Sequence, residues 1–414
     1  MKALKNKNVR LVIVCFFVIL LIAVILFFVF GRDKDKLDDT KEYNEIGLEI
    51  KPVADAVSEA KNVIGNTYQN LTLPDDFEIV CGDTLYNMTE YRNPGDNSVD
   101  VKKRCKDIAK VYFGDLYDET LIEEQLNSDE YYSIYYGKTV KESDFEDYDS
   151  YVEALREDDY YNIYATIDGY VQLKQKRSVS SYDTDNPDVY IIGKDNIDGV
   201  SYNLLGTQYP ISDAIEYASE TFTSDYKSFF PDIDDIAPYA VYVFTNEKGE
   251  SFYDIAFEPL YQGTPSMIDG YLSDVFSPGM FRFTCRFSMS APDKLDEISV
   301  YAPRPDEKRV IKKIITLESA LLHLEERLAP ESNYEITDIS LNYCRYHISE
   351  DEPERSVKPY WCFTIGTGNS MWGTYSPRKV IYVDAQSGDI YCHDSMKGEI
   401  EFKYIQEKQY EKEK

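Results

Sequence analysis

Histidine is scarce in this chain of 414 residues: there are three, His323, His347 and His393, and each stands alone. No H-E-x-x-H run and no C-x-x-C pair occurs, so the commonest zinc-binding patterns are missing. Cysteine is thinly spread as well. Beyond Cys15 there are Cys81, Cys105, Cys285, Cys344, Cys362 and Cys392, too few and too far apart for a disulfide-built scaffold. The one serine set between glycines, Ser370 in GTGNSMWG, lacks the G-x-S-x-G spacing and the strand-to-helix setting of a nucleophile elbow. Carboxylate pairs recur throughout, so none singles itself out as a general acid and base. No catalytic, metal-binding or cofactor-binding residue is identified, and no enzyme is expected.

Positive charge is the other deficit. Lysine and arginine number 44 against 75 acids, a net charge of −31. Such a surface repels phosphate backbones, which argues against nucleic acid as a partner, and it attracts cationic peptides or basic protein faces; the same charge also serves plain solubility.

One stretch has no charge at all. Leu11 to Phe30 is wholly apolar, and as a helix it is about 30 Å long, the thickness of a bilayer's hydrocarbon core. The head before it carries Lys2, Lys5, Lys7 and Arg10 with no acid, while GRDKDKLDDT follows it. This asymmetry predicts a cytoplasmic N-terminus and an extracytoplasmic remainder. A cleaved signal peptide is the rival reading, but FFVFGRDK lacks the small residues of a cleavage site. Cys15 reads as a membrane-buried cysteine rather than a lipidated one.

The whole chain divides, in order, into a basic head (1–10), a transmembrane helix (11–30) meeting the lipid bilayer, a juxtamembrane spacer (31–75), an N-terminal α+β unit (76–180), a middle unit (200–300), a C-terminal unit (301–398) and a charged tail (399–414). The loop SVSSYDTDNPD marks a boundary. Its Asp183, Asp185 and Asp188 lack the glycine and terminal glutamate of a calcium hand.

Within these units, a helix opening at Ser98 presents Val101, Cys105, Ile108 and Tyr112 on one face. Ile163, Ala165, Ile167, Val171 and Leu173 share one parity of a strand. A helix capped at Ser212 carries Ala214, Ile215, Ala218 and Phe222, followed by YAVYVFT and SFYDIAF around Asn246 to Gly249, a hairpin pattern. The order then recurs. Thr316 caps LESALLHLEERL, and three strand signals follow, with Ile339, Leu341 and Tyr343 on one side, then Trp361, Phe363 and Ile365, then a fold-back around Gly388. Helix, strand, strand, repeated, predicts an α+β arrangement with helices laid on antiparallel sheet.

Two features are candidate sites. The tyrosine and acid belt of 128–161 includes Tyr131, Tyr132, Tyr135 and Tyr136, which read first as a tyrosine-decorated sheet edge and second as a surface for glycans or cationic peptides. Cys344 and Cys362 point away from the helix-covered face by parity. They are either a cross-strand disulfide or two unpaired thiols, depending on register, and no obligatory disulfide is expected.

PYWCFTIG followed by KVIYVDAQSGDIYCHD resembles the end of a PepSY domain, where a Trp-bearing strand precedes one ending in V-D-A-x-x-G and a return strand. Together with the anchor and the repeated units, the chain resembles YycI/YycH-type membrane-bound regulators of bacterial two-component systems. What the resemblance implies is a non-enzymatic role: binding a membrane or cell-surface protein such as a sensor kinase, transporter or peptidase. The V-D-A-x-x-G run itself is explained as a turn.

Overall fold

The computed structural model describes residues 47–392 apart from internal stretches, the longest being 92–99, 176–186 and 267–278. The expected head, span and tail lie outside the described residues, as do Asp183, Asp185, Ser370 and His393. Among the described residues no helix is long and apolar enough to cross a membrane.

In chain order the main elements are β1 (Ile50–Pro52), α1 (Val53–Ser58), β2 (Leu85–Tyr91), α2 (Val101–Phe113), β3 (Ile122–Asn127), β4 (Tyr131–Tyr136), β5 (Tyr161–Thr166), β6 (Val171–Gln175) and β7 (Asp188–Ile191). Then come α3 (Ile211–Thr221), β8 (Asp235–Thr245), β9 (Ser251–Tyr261), β10 (Gly279–Phe281), β11 (Thr284–Met289), β12 (Glu297–Tyr301), β13 (Glu307–Ile311) and β14 (Lys313–Ile315). The last are α4 (Leu317–Arg327), β15 (Asp338–His347), β16 (Glu354–Ile365), β17 (Lys379–Asp384) and β18 (Ile390–Cys392). The class is α+β, with strands dominant.

Three helices start where local chemistry lets them. The side chain of Asp100 accepts from Lys103 N at the start of α2, and Thr316 accepts from Ser319 N at the start of α4, satisfying N–H groups that a first turn leaves open. The expected cap at Ser212 is not used. Pro210 is the N-cap of α3 and Ile211 is already helical and buried. A proline donates no N–H, and its fixed φ suits the entry.

The large sheet runs β3-β4-β5-β6-β12-β11-β9-β8-β7. Here the expected division is corrected, because β6 pairs with β12 through Val171↔Val300, Gln172↔Ser299, Leu173↔Ile298 and Lys174↔Glu297. Strands of the expected units 76–180 and 200–300 therefore share one sheet. The single strand expected through Ile163 and Leu173 is a hairpin, with Ala165 opposite Val171. Residues paired across a ladder share a face, so the parity survived the turn.

The two halves of this sheet match. A cross-strand row Asn127, Tyr132, Ala165, Val171 on one side has its counterpart in Val241, Ile255, Phe287, Ile298 on the other. Two residues before each row's first member the outer strand bulges, at Gln125 and at Tyr239. Each half is thus a helix followed by a meander of four antiparallel strands, the second interrupted by β10, which joins the other main sheet. α2 and α3 lie on the same face, over one core that holds Cys105, Ile108, Ala214, Ala218, Ile134, Ile163, Ile255 and Phe287.

The second main sheet repeats the order again: α4, then β15-β16-β17-β18, with β10 added at the outer edge of β15. Trp361, Phe363, Ile339 and Leu341 pack with Leu317, Leu321 and Leu324, and Trp361 Nε1 donates to Ile315 O at 2.8 Å.

The expected spacer is corrected too: 48–75 holds a helix over Val53–Ser58 and a 3-10 turn over Ala60–Val63, as a helix expected around Val53 to Val63 requires, but it packs into the folded body instead of holding that body off. β1 pairs with β14, Leu71 and Thr72 pair with Tyr334 and Glu335, and β2 pairs with β13 and β16. Val53, Ala56, Ala60, Val63, Leu71, Leu85 and Met88 are buried in the core of the C-terminal unit. A segment with that many apolar positions gains more by packing than by extending. The same core takes in Ala240, Tyr242, Phe244 and Ala256 from the large sheet's other face, so the helix-free side of β8 and β9 is covered.

Candidate functional site

Alternation along β4 separates the four candidate tyrosines. Tyr132 and Tyr136 point inward, with exposures of 0% and 4%, and pack under α2. Tyr131 is exposed and Tyr135 half-buried, on the opposite, helix-free face. The four do not form one binding surface, because neighbours in a strand face opposite ways. Tyr136 stacks on Phe113 at 3.9 Å, and its hydroxyl donates to Leu116 O and accepts from Asp118 N; these are core roles.

The helix-free face instead assembles a different set. Tyr131 meets Tyr164 at 6.5 Å between ring centroids, Tyr164 meets Tyr170 at 5.8 Å and Tyr170 meets Tyr301 at 5.8 Å. Tyr164, Tyr170 and Tyr301 are half-buried. The row is mostly edge-to-face, the arrangement that ring quadrupoles favour. At its inner end the Arg345 guanidinium of β15 lies 4.2 Å from the centroid of Tyr301, a close cation–π contact. Beside Tyr135, Lys138 sits 5.0 Å from the ring centroid.

Polar side chains run alongside the rings. Tyr170 Oη and Ser299 Oγ are 3.2 Å apart, Gln172 Nε2 donates to Glu297 Oε1 at 3.0 Å, and Lys174 Nζ lies 3.1 Å from Glu297 Oε2. Burial pushes the Tyr170 phenol up to about 12, so it stays protonated and able to donate at neutral pH. Further along the same face, Arg286 holds Asp254 with Nε to Oδ1 at 3.1 Å and Nη2 to Oδ2. Burial pushes the Asp254 carboxyl up while Arg286 pulls against it. This face offers aromatic planes, donors and acceptors, and among its residues no paired nucleophile and base.

The other sequence candidates resolve as structural. Cys344 stands opposite Lys358 and Cys362 opposite Ser340, four register positions apart on neighbouring strands. At about 3.4 Å per residue that offset far exceeds the reach of a disulfide. Neither cysteine is in a disulfide, and both are buried, in a small cluster with Tyr360, Val380 and Tyr382 on the face away from α4. The parity expectation holds and the candidate disulfide does not. Cys105 is buried, its thiol pushed up to about 12 by burial; burial raises Cys285 as well. Thiols so placed are poor nucleophiles. His323 is buried on α4, and burial holds its imidazole below the ordinary 6.5. In the V-D-A-x-x-G run, Asp384 Oδ1 accepts from Gln386 N and Ser387 N at 2.8 and 3.1 Å, and Gly388 takes φ +78°; the motif is a turn. Asp188 accepts from the Tyr202 hydroxyl at 2.7 Å. Among the described residues no group of three or more His, Cys, Asp or Glu side chains is arranged to hold a metal.

Sequence reading missed Tyr164, Tyr170, Tyr301 and Arg345. The signal for the first two was present, since Tyr164 and Tyr170 have the parity opposite to Ile163 and Val171; Tyr301 and Arg345 become neighbours only through tertiary pairing.

No family model matches the chain, and no curated protein does. Among solved structures, that of an uncharacterized protein from Eubacterium rectale ATCC 33656 is similar with a TM-score of 0.42 and 14% identity, over 82% of this chain and 98% of that one.

Proposed function

We propose that this is a membrane-anchored, non-catalytic regulatory or interaction protein, PepSY-like in its units and of the YycI/YycH kind, whose folded region lies outside the cytoplasm. The observation that carries this reading is the tyrosine row Tyr131, Tyr164, Tyr170 and Tyr301 on a helix-free sheet face. Tyrosine supplies large contact area with little rotamer entropy to lose, which suits a binding surface. Support also comes from the recurrence of a helix with four antiparallel strands and from the apolar run Leu11 to Phe30 after a basic head. The partner is a membrane or cell-surface protein: a sensor kinase, transporter or peptidase.

Crosslinking and pull-down from membranes test this, with the anchor alone as the control. Enrichment of a membrane or surface protein by the full chain is the expected result. Equal recovery by the anchor alone removes the reading.

The polar line of Gln172, Glu297 and Ser299 beside the rings favours a second reading, a surface for glycans or cationic peptides. For cationic peptides, binding should fall as salt rises. The double variant Y131A/Y164A should abolish it; binding that survives both changes refutes this reading.

A further inference from the structure

The first strand of each four-stranded meander has an outer edge, and the three edges differ. On β8, β7 pairs antiparallel over Ala240 to Val243. On β15, β10 pairs antiparallel over Arg345 to His347. On β3, no strand of the described residues pairs with the outer edge, and β3 ends the sheet.

The stretch of chain around this edge strand is also rich in exposed apolar side chains. Nine large apolar side chains are exposed among the described residues, and five of them, Val111, Leu116, Leu121, Leu126 and Tyr131, fall between 111 and 131. Leu116 is 82% exposed, Leu121 46% and Leu126 44%. Scattered apolar exposure is ordinary, but exposed leucines on an unpaired edge strand and just before it, Leu126 and Leu121, mark a contact site. We propose that the outer edge of β3 takes up an extended segment of a partner protein as an added antiparallel strand, a placement that rests on the interaction role proposed above.

The bulge at Gln125 would ordinarily serve to blunt an edge. Here it does not bar pairing, because β8 carries its own bulge at the matching place and β7 pairs immediately beyond it. The charges around β3 are locally matched: Glu119 with Lys106 at 2.6 Å, Glu123 with Lys138 at 2.9 Å and Glu124 with Lys102 at 2.5 Å. A near-neutral rim with exposed leucines, on a chain of net charge −31, selects an apolar, neutral-to-basic strand. It disfavours an acidic strand and a second copy of this chain, since two such copies repel. Backbone hydrogen bonds supply affinity, and the leucines the choice of side chain.

The test uses the full chain in detergent micelles with a seven-residue peptide of alternating valine and lysine, read by amide hydrogen exchange. With peptide at roughly ten times its Kd, exchange of amides in residues 122–127 slows about tenfold. L121K/L126K loses that protection, whereas L205K/L322K, at exposed leucines elsewhere, keeps it. Unchanged exchange in 122–127, protection confined to β7 or to the tyrosine face, or protection that appears without peptide as the chain dimerises each overturns the proposal. If the membrane pull-down succeeds while this edge stays unprotected, only the edge assignment falls. If the pull-down fails and the edge is protected, the edge assignment stands without the regulatory reading.

Discussion

Gly82 measures how closely the N-terminal segment sits against the large sheet. A Cβ built on it lies 1.7 Å from Gln262 O and 2.9 Å from Gln262 C, both backbone atoms. Real Cβ contacts essentially never fall under 3.0 Å, so G82A forces the two backbones at least about 1.3 Å apart. That shift strains two hydrogen bonds: Gly82 N donates to Thr264 Oγ1 at 3.0 Å, and Gly263 N donates to Asp234 Oδ2 at 3.0 Å. Neither party is a side chain that can rotate away, so the cost belongs at the upper end for overpacking, about 3 kcal/mol. For a folded body that spans Leu48–Lys414 the Tm drops by about 4 °C. G249A is the comparison, because Gly249 has φ +75° with nothing within 4 Å of its added Cβ, leaving only the left-handed backbone cost of about 1–2 kcal/mol. Thermal melts followed by circular dichroism decide it. A G82A melt no lower than that of G249A refutes the close approach between Gly82 and the Gln262 turn.

Three further outcomes follow from burial and charge. Y132A removes a fully buried ring and costs about 3–5 kcal/mol in urea unfolding, while Y131A stays within about 0.5 kcal/mol of the parent; equal effects would contradict the alternation along β4. D254N removes the carboxylate charge that Arg286 holds and costs about 3–5 kcal/mol, most of which the double variant D254L/R286M restores, as a urea series on both would show. His323, facing Arg327, Glu326 and Asp389, has a folded pKa below its unfolded 6.5, so the unfolded chain binds the proton first. Its contribution is present above about pH 6.5 and is lost as pH falls through the folded value. Melts from pH 7 to 5 should therefore decline more steeply for the parent than for H323Q.

What could be read from the sequence was whatever local periodicity controls. The stripe Val101, Cys105, Ile108, the Thr316 cap, the Asn246 to Gly249 hairpin and the inward set Ile339, Leu341, Tyr343, Trp361, Phe363 all appear as expected. Each depends on neighbours within a turn or a strand. What escaped depends on partners far along the chain. The β6–β12 pairing that joins two expected units links residues more than a hundred positions apart, and the register that separates Cys344 from Cys362 is set by the whole β15–β16 ladder. For the candidate site, the tyrosine-rich stretch holds one strand of the ring row, through Tyr131. Its two adjacent tyrosine pairs hid the fact that one member of each is core, and the ring row across β5, β6 and β12 is a product of sheet order.

The docking of β1, α1 and β2 onto the C-terminal unit has a consequence for the order of folding. A ribosome delivers Val53, Leu71 and Met88 long before it makes Ile314, Leu321, Trp361 and Val383, the residues that enclose them. Until then the opening segment has no finished core to join, and its apolar side chains stay exposed while the intervening large sheet assembles. The last unit can close only when the first folded residues are still there to be enclosed. A version begun at residue 76, as the spacer reading would suggest, lacks part of that core from the outset.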